Sequence, residues 1–276
     1  FEIIFRQCRL HPLDRAGAVA NSVYGATDEA YIADIYYAAS AQIVAKAAAV
    51  LGLEETRQNY QAIADRQWQV VKEEYFTATG RCAVKTQTGL VLALKYHLSD
   101  NERLTEQMLR KLLRDNKNKL NTGLVGTPLL CNVLTEHGMT DLAYRLLLNE
   151  EYPGWLHEVK LGATTVWERW NSLDENGRIS STGMNSLNHY SYGAVLEWIF
   201  RHVAGIDVTE QGPGGKMMRI SPKVDHKLGS ASAVYDSASG CYRCGWQIEN
   251  GDQITVTVTV PFGAKAQVIL PYAPDS

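Results

Sequence analysis

Apolar residues recur at helical spacing from about residue 27 to residue 149, return at that spacing over 189–204, and then give way to strict alternation. The first periodic segment opens on Thr27-Asp28, a capping pair. It carries Ile32, Ile35, Tyr36, Ala39, Ile43, Ala47 and Val50 on the face expected to be buried, and it closes at Gly52. Ala38, Ala39, Ala41, Ala45, Ala47, Ala48 and Ala49 keep its helix propensity high and let a neighbouring helix approach closely. A second helix follows with Tyr60, Ala64, Trp68, Val71 and Tyr75 on one face. The pattern then predicts helices over 86–98, 102–116, 127–137 and 141–149, joined by connections as short as Ser99-Asp100-Asn101 and Gly138-Met139-Thr140. Connections this short force consecutive helices to lie antiparallel, so the expectation is helical hairpins in series.

Between residues 152 and 184 no helical period is visible. A last helix is expected over 189–204, with Asn188 or Ser186 placed to cap it and Val195, Trp198, Ile199 and Val203 facing inward. Beyond the turn-rich joint Gly212-Pro213-Gly214-Gly215, Ile254, Val256, Val258 and Val260 alternate with Thr255, Thr257 and Thr259, the period of a half-buried strand. Residues 217–221, 241–248 and 266–270 read as further strands. The fold class is therefore mainly α over residues 1–206, followed by a small antiparallel β unit over 207–276 whose expected role is support.

Composition narrows the partners. With 276 residues and 45% hydrophobic content the chain can bury a large core. A net charge of −3 and a pI of about 6.2 supply neither a basic stripe for nucleic acid nor a polybasic segment for a membrane surface. No apolar run reaches the roughly 18 residues of a spanning helix. The start, Phe1-Glu2-Ile3-Ile4-Phe5-Arg6, resembles no signal peptide and reads as the interior of something longer. This favours the cytoplasm and leaves the periplasm open. Cys8, Cys82, Cys131, Cys241 and Cys244 are too few and too scattered for a disulfide framework. The Cys241-Tyr-Arg-Cys244 spacing suits a metal or redox pair, but no second pair accompanies it, and packed thiols are the preferred reading. No metal or cofactor is expected.

The candidate chemistry gathers where the helical period is lost. Of six tryptophans, four, Trp155, Trp167, Trp170 and Trp198, fall between positions 155 and 198. An indole offers a flat apolar face to a sugar ring and an N–H to a hydroxyl. Trp198 lies on an amphipathic helix and is assigned to the core. For Trp155 and Trp167, ligand contact and core packing are equal alternatives. Glu168 stands between Trp167 and Arg169-Trp170, and it is either an active carboxylate or half of an ion pair with Arg169. His189, at a helix start, is suited to remain a neutral imidazole that bonds a hydroxyl, and a capping histidine is the plainer alternative. Glu54-Glu55, Glu73-Glu74 and Glu150-Glu151 read as solvated. The run Gly123-Leu124-Val125-Gly126-Thr127-Pro128 lacks the ending of a phosphate loop and reads as a tight turn into a helix. The polar side chains of Thr86-Gln87-Thr88 are placed to face a central space.

Six motifs in order, Thr86-Gln87-Thr88-Gly89, Thr122 to Pro128, Asp141-Leu142-Ala143-Tyr144, Pro153-Gly154-Trp155, Gly162 to Trp170 and Met184 to Tyr190, resemble the bacterial α-L-rhamnosidases of glycoside hydrolase family 78. The resemblance runs from about Gly25 to Ile206, and Val260-Pro261-Phe262-Gly263 resembles that family's carboxy-terminal β-sandwich. It implies a partial six-hairpin (α/α) toroid and inverting hydrolysis of terminal α-L-rhamnose from a glycoside or oligosaccharide, and it leaves a homodimer open. It implies Glu168 as general base, His189 as a rhamnose contact, and Trp155, Trp167, Trp170 and Asn185 as pocket residues. The family's general acid has no match in residues 1–276, and residues 1–22 do not match what precedes the first helix. A carbohydrate-binding remnant without catalysis, or a toroid hydrolase or lyase for another sugar, are the alternatives.

Overall fold

The computed structural model describes residues 27–174, 176–180, 185–251 and 253–272. The expectations resting on residues 1–22, Cys8, Gly25 and Met184 lie outside the described residues. The chain divides into two units, Phe1–Val133 with Leu146–Tyr192, and Leu134–Arg145 with Gly193–Ser276.

In the first unit, α1 (Glu29–Val50) starts where the Asp28 carboxylate accepts the Tyr31 N–H at 3.0 Å, so the capping residue acts as the sequence suggested. Its buried stripe is Tyr31, Ile32, Ile35, Ala38, Ala39, Ala41, Ala45 and Ala48. Ile43 and Val50 are 67% and 88% exposed and Ala47 is exposed, which corrects the expected face. The stripe follows the alanines because α2 (Glu54–Tyr75) packs along them, and a close helix pair favours small side chains at the contact.

Helix α3 (Gln87–Lys95) is buried continuously from Gln87 to Leu94. Thr86 caps it by accepting the Gly89 N–H at 3.0 Å, and the Tyr31 hydroxyl donates to the Gly89 carbonyl at 3.0 Å, tying α1 to α3. Helix α4 (Glu102–Asp115) packs on α3 with Thr105, Leu109 and Leu113, spaced one helical turn apart, on its buried face. Gly126 stands just before α5 (Thr127–Glu136), where a Cβ would lie 2.4 Å from the Thr88 hydroxyl and 2.9 Å from Thr122 Cγ2. Helix α6 (Thr140–Leu147) follows. A short helix α7 (Trp155–Lys160) occupies the stretch where no helical period was visible, since six residues are too few to display one.

The helix expected over 189–204 is in three pieces: α8 (Tyr190–Gly193), α9 (Val195–Trp198) and a π-helical turn, Ile199–Val203. The turn is closed by Ala204 N–H donating to the Ile199 carbonyl at 2.8 Å, and the first break follows Gly193, a weak helix former.

The second unit holds two three-stranded sheets, ordered β1-β2-β6 and β3-β4-β5. The first comprises β1 (Ile206–Val208), β2 (Met217–Ile220) and β6 (Lys265–Val268). The second comprises β3 (Ser230–Ser237), β4 (Gly240–Glu249) and β5 (Gln253–Thr259). Strand β3 was not anticipated, because its Ser-Ala-Ser-Ala start carries little of the bulk that marks a strand. The β2–β6 pair is parallel and the other pairs are antiparallel. Ile206, Met218, Ile220, Tyr242 and Cys244 form the core, with Val256 and Val258 packed against them. Cys244 is a buried free thiol, pushed up to about 11 by desolvation, and Cys241 is a half-buried free thiol. Among the described residues no group of His, Cys, Asp and Glu is arranged to hold a metal ion.

Side chains of this unit also tie its helices to its strands. Trp198, fully buried, donates to the Thr135 hydroxyl at 2.8 Å and meets Tyr144 edge-on, and Trp246 donates to the Val203 carbonyl at 2.7 Å. Asp207, 8% exposed, accepts from Arg201 Nε at 2.9 Å and from Arg219 at 2.5 Å, while Arg201 also reaches Glu197 at 3.1 Å. Removing a buried carboxylate held by two guanidinium groups takes this partner from Arg219 and leaves Arg201 only Glu197 and Glu136. Asp207→Ala is expected to destabilise the second unit by about 2–4 kcal/mol in chemical denaturation. Gly126→Ala forces the Thr88 contact apart, and a loss of about 1–3 kcal/mol is expected in the same measurement.

Candidate functional site

The site is assembled from two irregular segments, 161–170 and 185–189, and from α7. Segments without a helix or sheet ladder must still pair their backbone polar groups when buried. These two pair with each other. His189 N–H donates to the Val166 carbonyl at 2.9 Å, Glu168 N–H donates to the Ser186 carbonyl at 2.9 Å, and the Thr165 hydroxyl donates to the Leu187 carbonyl. Ser186 N–H returns a bond of 2.7 Å to Glu168 Oε2. Glu168 is thus fastened to Ser186 by main chain and side chain alike, and it is only 6% exposed. One carboxylate oxygen fixed by a backbone donor orients the whole group.

His189 is half-buried, and its Nδ1 accepts the Ser191 N–H at 3.2 Å. It therefore caps α8 itself, where Ser186 or Asn188 was expected. Ser186 instead bonds Asn188, accepting its N–H at 3.2 Å and donating to its carbonyl at 3.0 Å. An Nδ1 that accepts carries no proton, so the neutral ring keeps its proton on Nε2 as a donor. The capping and ligand-contact readings of His189 are compatible, since each uses a different nitrogen.

The indoles of Trp155, Trp167 and Trp170 are buried, at 6%, 2% and 4% exposure. Trp170 stacks on Tyr192 with centroids 4.1 Å apart and meets Trp155 edge-on at 5.3 Å. Trp155 donates its N–H to the Tyr192 carbonyl at 3.0 Å. One face of the Trp170 indole is thus taken up by Tyr192, and Trp155, Trp170 and Tyr192 form one aromatic cluster. Asn185 donates to the Ser172 carbonyl at 3.0 Å, and its Oδ1 is buried without a partner among the described residues. Gln87, expected to face a central space, is spent on structure: it donates to the Lys119 carbonyl at 3.0 Å and accepts the Asn121 N–H at 2.8 Å.

The sequence reading passed over Glu158. This residue is 2% exposed, its Oε2 accepts the Trp167 N–H at 3.2 Å, and its Oε1 is buried without a partner among the described residues. Desolvation pushes its carboxyl from 4.5 up to about 8, opposed only by the Trp167 N–H. The signal was available in the spacing. Glu158 lies three residues after Trp155, so any helix through both puts them on one face.

Comparison with known proteins places this geometry. Residues 13–203 match the bacterial alpha-L-rhamnosidase 6 hairpin glycosidase domain, and residues 205–276 match the bacterial alpha-L-rhamnosidase C-terminal domain. The chain belongs to the bacterial α-L-rhamnosidase family. An alpha-L-rhamnosidase of Formosa agariphila is 36% identical over 250 residues, covering 90% of this chain and 27% of that protein. One from an Alteromonas species is 37% identical over 251 residues, with the same coverage of 90% and 27%. Among solved structures, the Streptomyces avermitilis alpha-L-rhamnosidase complexed with L-rhamnose superposes with a TM-score of 0.82 at 33% identity, over 92% of this chain and 24% of that one. The Aspergillus terreus enzyme gives a TM-score of 0.87 at 29% identity, over 94% and 30%. The chain thus spans about a quarter of the length of its rhamnosidase relatives.

The fold class expected from the sequence, a six-hairpin glycosidase domain followed by a small β domain, is the one found. For Glu158 the sign of the pH effect follows from the raised value. Between 4.5 and about 8 the folded chain holds a proton that the unfolded chain has released, so stability falls as pH rises through that window. Glu158→Gln removes this loss. Its Tm advantage over the parent is expected to be small near about pH 5 and to grow to the equivalent of roughly 2–4 kcal/mol near about pH 8.5 in thermal denaturation.

Proposed function

We propose that this chain supplies the general-base half of the active site of an inverting α-L-rhamnosidase, acting on terminal α-L-rhamnose in glycosides or oligosaccharides. Glu168 takes a proton from water as the water attacks the anomeric carbon. A second carboxylic acid, about 6.5–9.5 Å from it, protonates the departing oxygen on the opposite face of the sugar. That acid has no counterpart by resemblance in residues 1–276, so the chain by itself lacks the group that makes the aglycone leave. His189 donates from Nε2 to a rhamnose hydroxyl, and Asn185 contributes its unpartnered Oδ1. Trp155, Trp167 and Trp170 shape the pocket from beneath. Residues 1–206 form the catalytic part and residues 207–276 a supporting β domain.

The observation that carries this reading is the double attachment of Glu168 to Ser186 on a segment paired directly with that of His189. It brings a buried, oriented carboxylate and a neutral histidine onto adjacent strands of irregular chain. The relative solved with L-rhamnose bound supports the choice of sugar.

The purified chain is expected to be stabilised by L-rhamnose in a thermal shift assay while hydrolysing an aryl α-L-rhamnoside no faster than buffer. Turnover by the chain would remove the claim that its acid is missing. In a complete enzyme carrying this segment, Glu168→Gln is expected to lower kcat by roughly 10²–10⁴-fold with rhamnose binding retained. Hydrolysis at the parent rate would defeat the assignment of Glu168 as base.

A further inference from the structure

Glu158 is tied to the Glu168 segment from both ends of one loop. Its main-chain carbonyl accepts the N–H groups of Leu161 and Ala163, each at 3.0 Å, closing the turn that leaves α7. Its side-chain Oε2 accepts the Trp167 N–H at 3.2 Å, where that loop reaches the residue before Glu168. One residue therefore holds the entry and the exit of the 161–167 loop. The remaining oxygen, Oε1, is buried and meets no partner among the described residues. None of the ion pairs found among the described residues includes Glu158.

We propose that Glu158 works as a neutral carboxylic acid, a positioning residue that clamps the 161–167 loop and so sets the place of Glu168. The reasoning is electrostatic. A carboxylate that is dry, without a cation and with a single N–H donor is costly, whereas the protonated group accepts from Trp167 through its carbonyl oxygen and leaves only a neutral hydroxyl without a partner among the described residues, a smaller cost. A neutral Glu158 fixes the loop without the cost of a buried charge. The raised value of about 8 is consistent with a protonated group throughout the neutral range.

The role of the clamp in catalysis rests on the proposed function above, but its test on the purified chain needs no turnover. Infrared spectra in D2O at about pH 6, compared between the parent and Glu158→Gln, are expected to differ by the carbonyl stretch of one protonated carboxylic acid. Backbone amide exchange at Trp167 is expected to be slow in the parent and in Glu158→Gln, which keeps an acceptor. In Glu158→Leu, which has none, it is expected to be at least about tenfold faster. The L-rhamnose thermal shift follows the same order, kept in the glutamine variant and lost in the leucine variant.

Absence of the acid band, or an unchanged Trp167 exchange rate in Glu158→Leu, overturns the proposal. Where the leucine variant does not fold, the glutamine variant decides: about tenfold faster exchange at Trp167 overturns the clamp, and parent-like exchange together with the acid band upholds it. A chain that binds no rhamnose at all defeats the proposed function, while the infrared and exchange results still judge the clamp.

Discussion

A buried stretch of backbone with no helix or sheet to join must find partners for its N–H and C=O groups, and the candidate site is the solution this chain adopts. The segment around Glu168 and the segment around His189 satisfy each other, with main-chain bonds at 2.9 Å from Glu168 to Ser186 and from His189 to Val166. The same pairing that removes the cost of burial orients the Glu168 carboxylate through Ser186. Stability and orientation at this place are one set of hydrogen bonds.

Beside the hydrogen bonds, aromatic side chains supply rigidity. The stack of Trp170 on Tyr192 and the edge contact with Trp155 join residues on three different pieces of the chain. Rings packed at right angles and in parallel have few alternative arrangements, so the segments that carry them are held in place. Tryptophans in an irregular segment left sugar contact and core packing as equal alternatives, and the structure shows Trp155, Trp167 and Trp170 buried. The second unit solves a comparable problem with charge. Asp207 holds Arg201 and Arg219 beside the first β-strand, so the end of the last helix and the start of the sheets are fixed within one ion cluster.

Much of the fold was legible along the chain because its signals are local. Asp28 and Thr86 cap their helices as their residue types suggest, and the spacing of Leu109 and Leu113 reports one buried face of α4. The valine and threonine alternation in β5 reports a half-buried strand. Where the signal failed, the cause was packing or length. The buried stripe of α1 follows its alanines because a close neighbour prefers small side chains, and no hydrophobicity pattern ranks Ala45 above Ile43. Strand β3 begins with exposed serines and small alanines, of which Ala233 packs against the core, and α7 is too short to show a period.

The residues of the site divide in the same way. Sequence alone determined which groups were available: a carboxylate between tryptophans at Glu168, a histidine at a helix start at His189, and a motif order that matches the α-L-rhamnosidase family. Tertiary structure alone decided how they are held, since pairing between segments about twenty residues apart sets the orientation of Glu168, and the bond from Ser191 N–H occupies His189 Nδ1. It also singled out Glu158, an ordinary glutamate in composition. Its character comes from being buried with one N–H and no cation, and burial is a property of the packed chain, not of its order of residues.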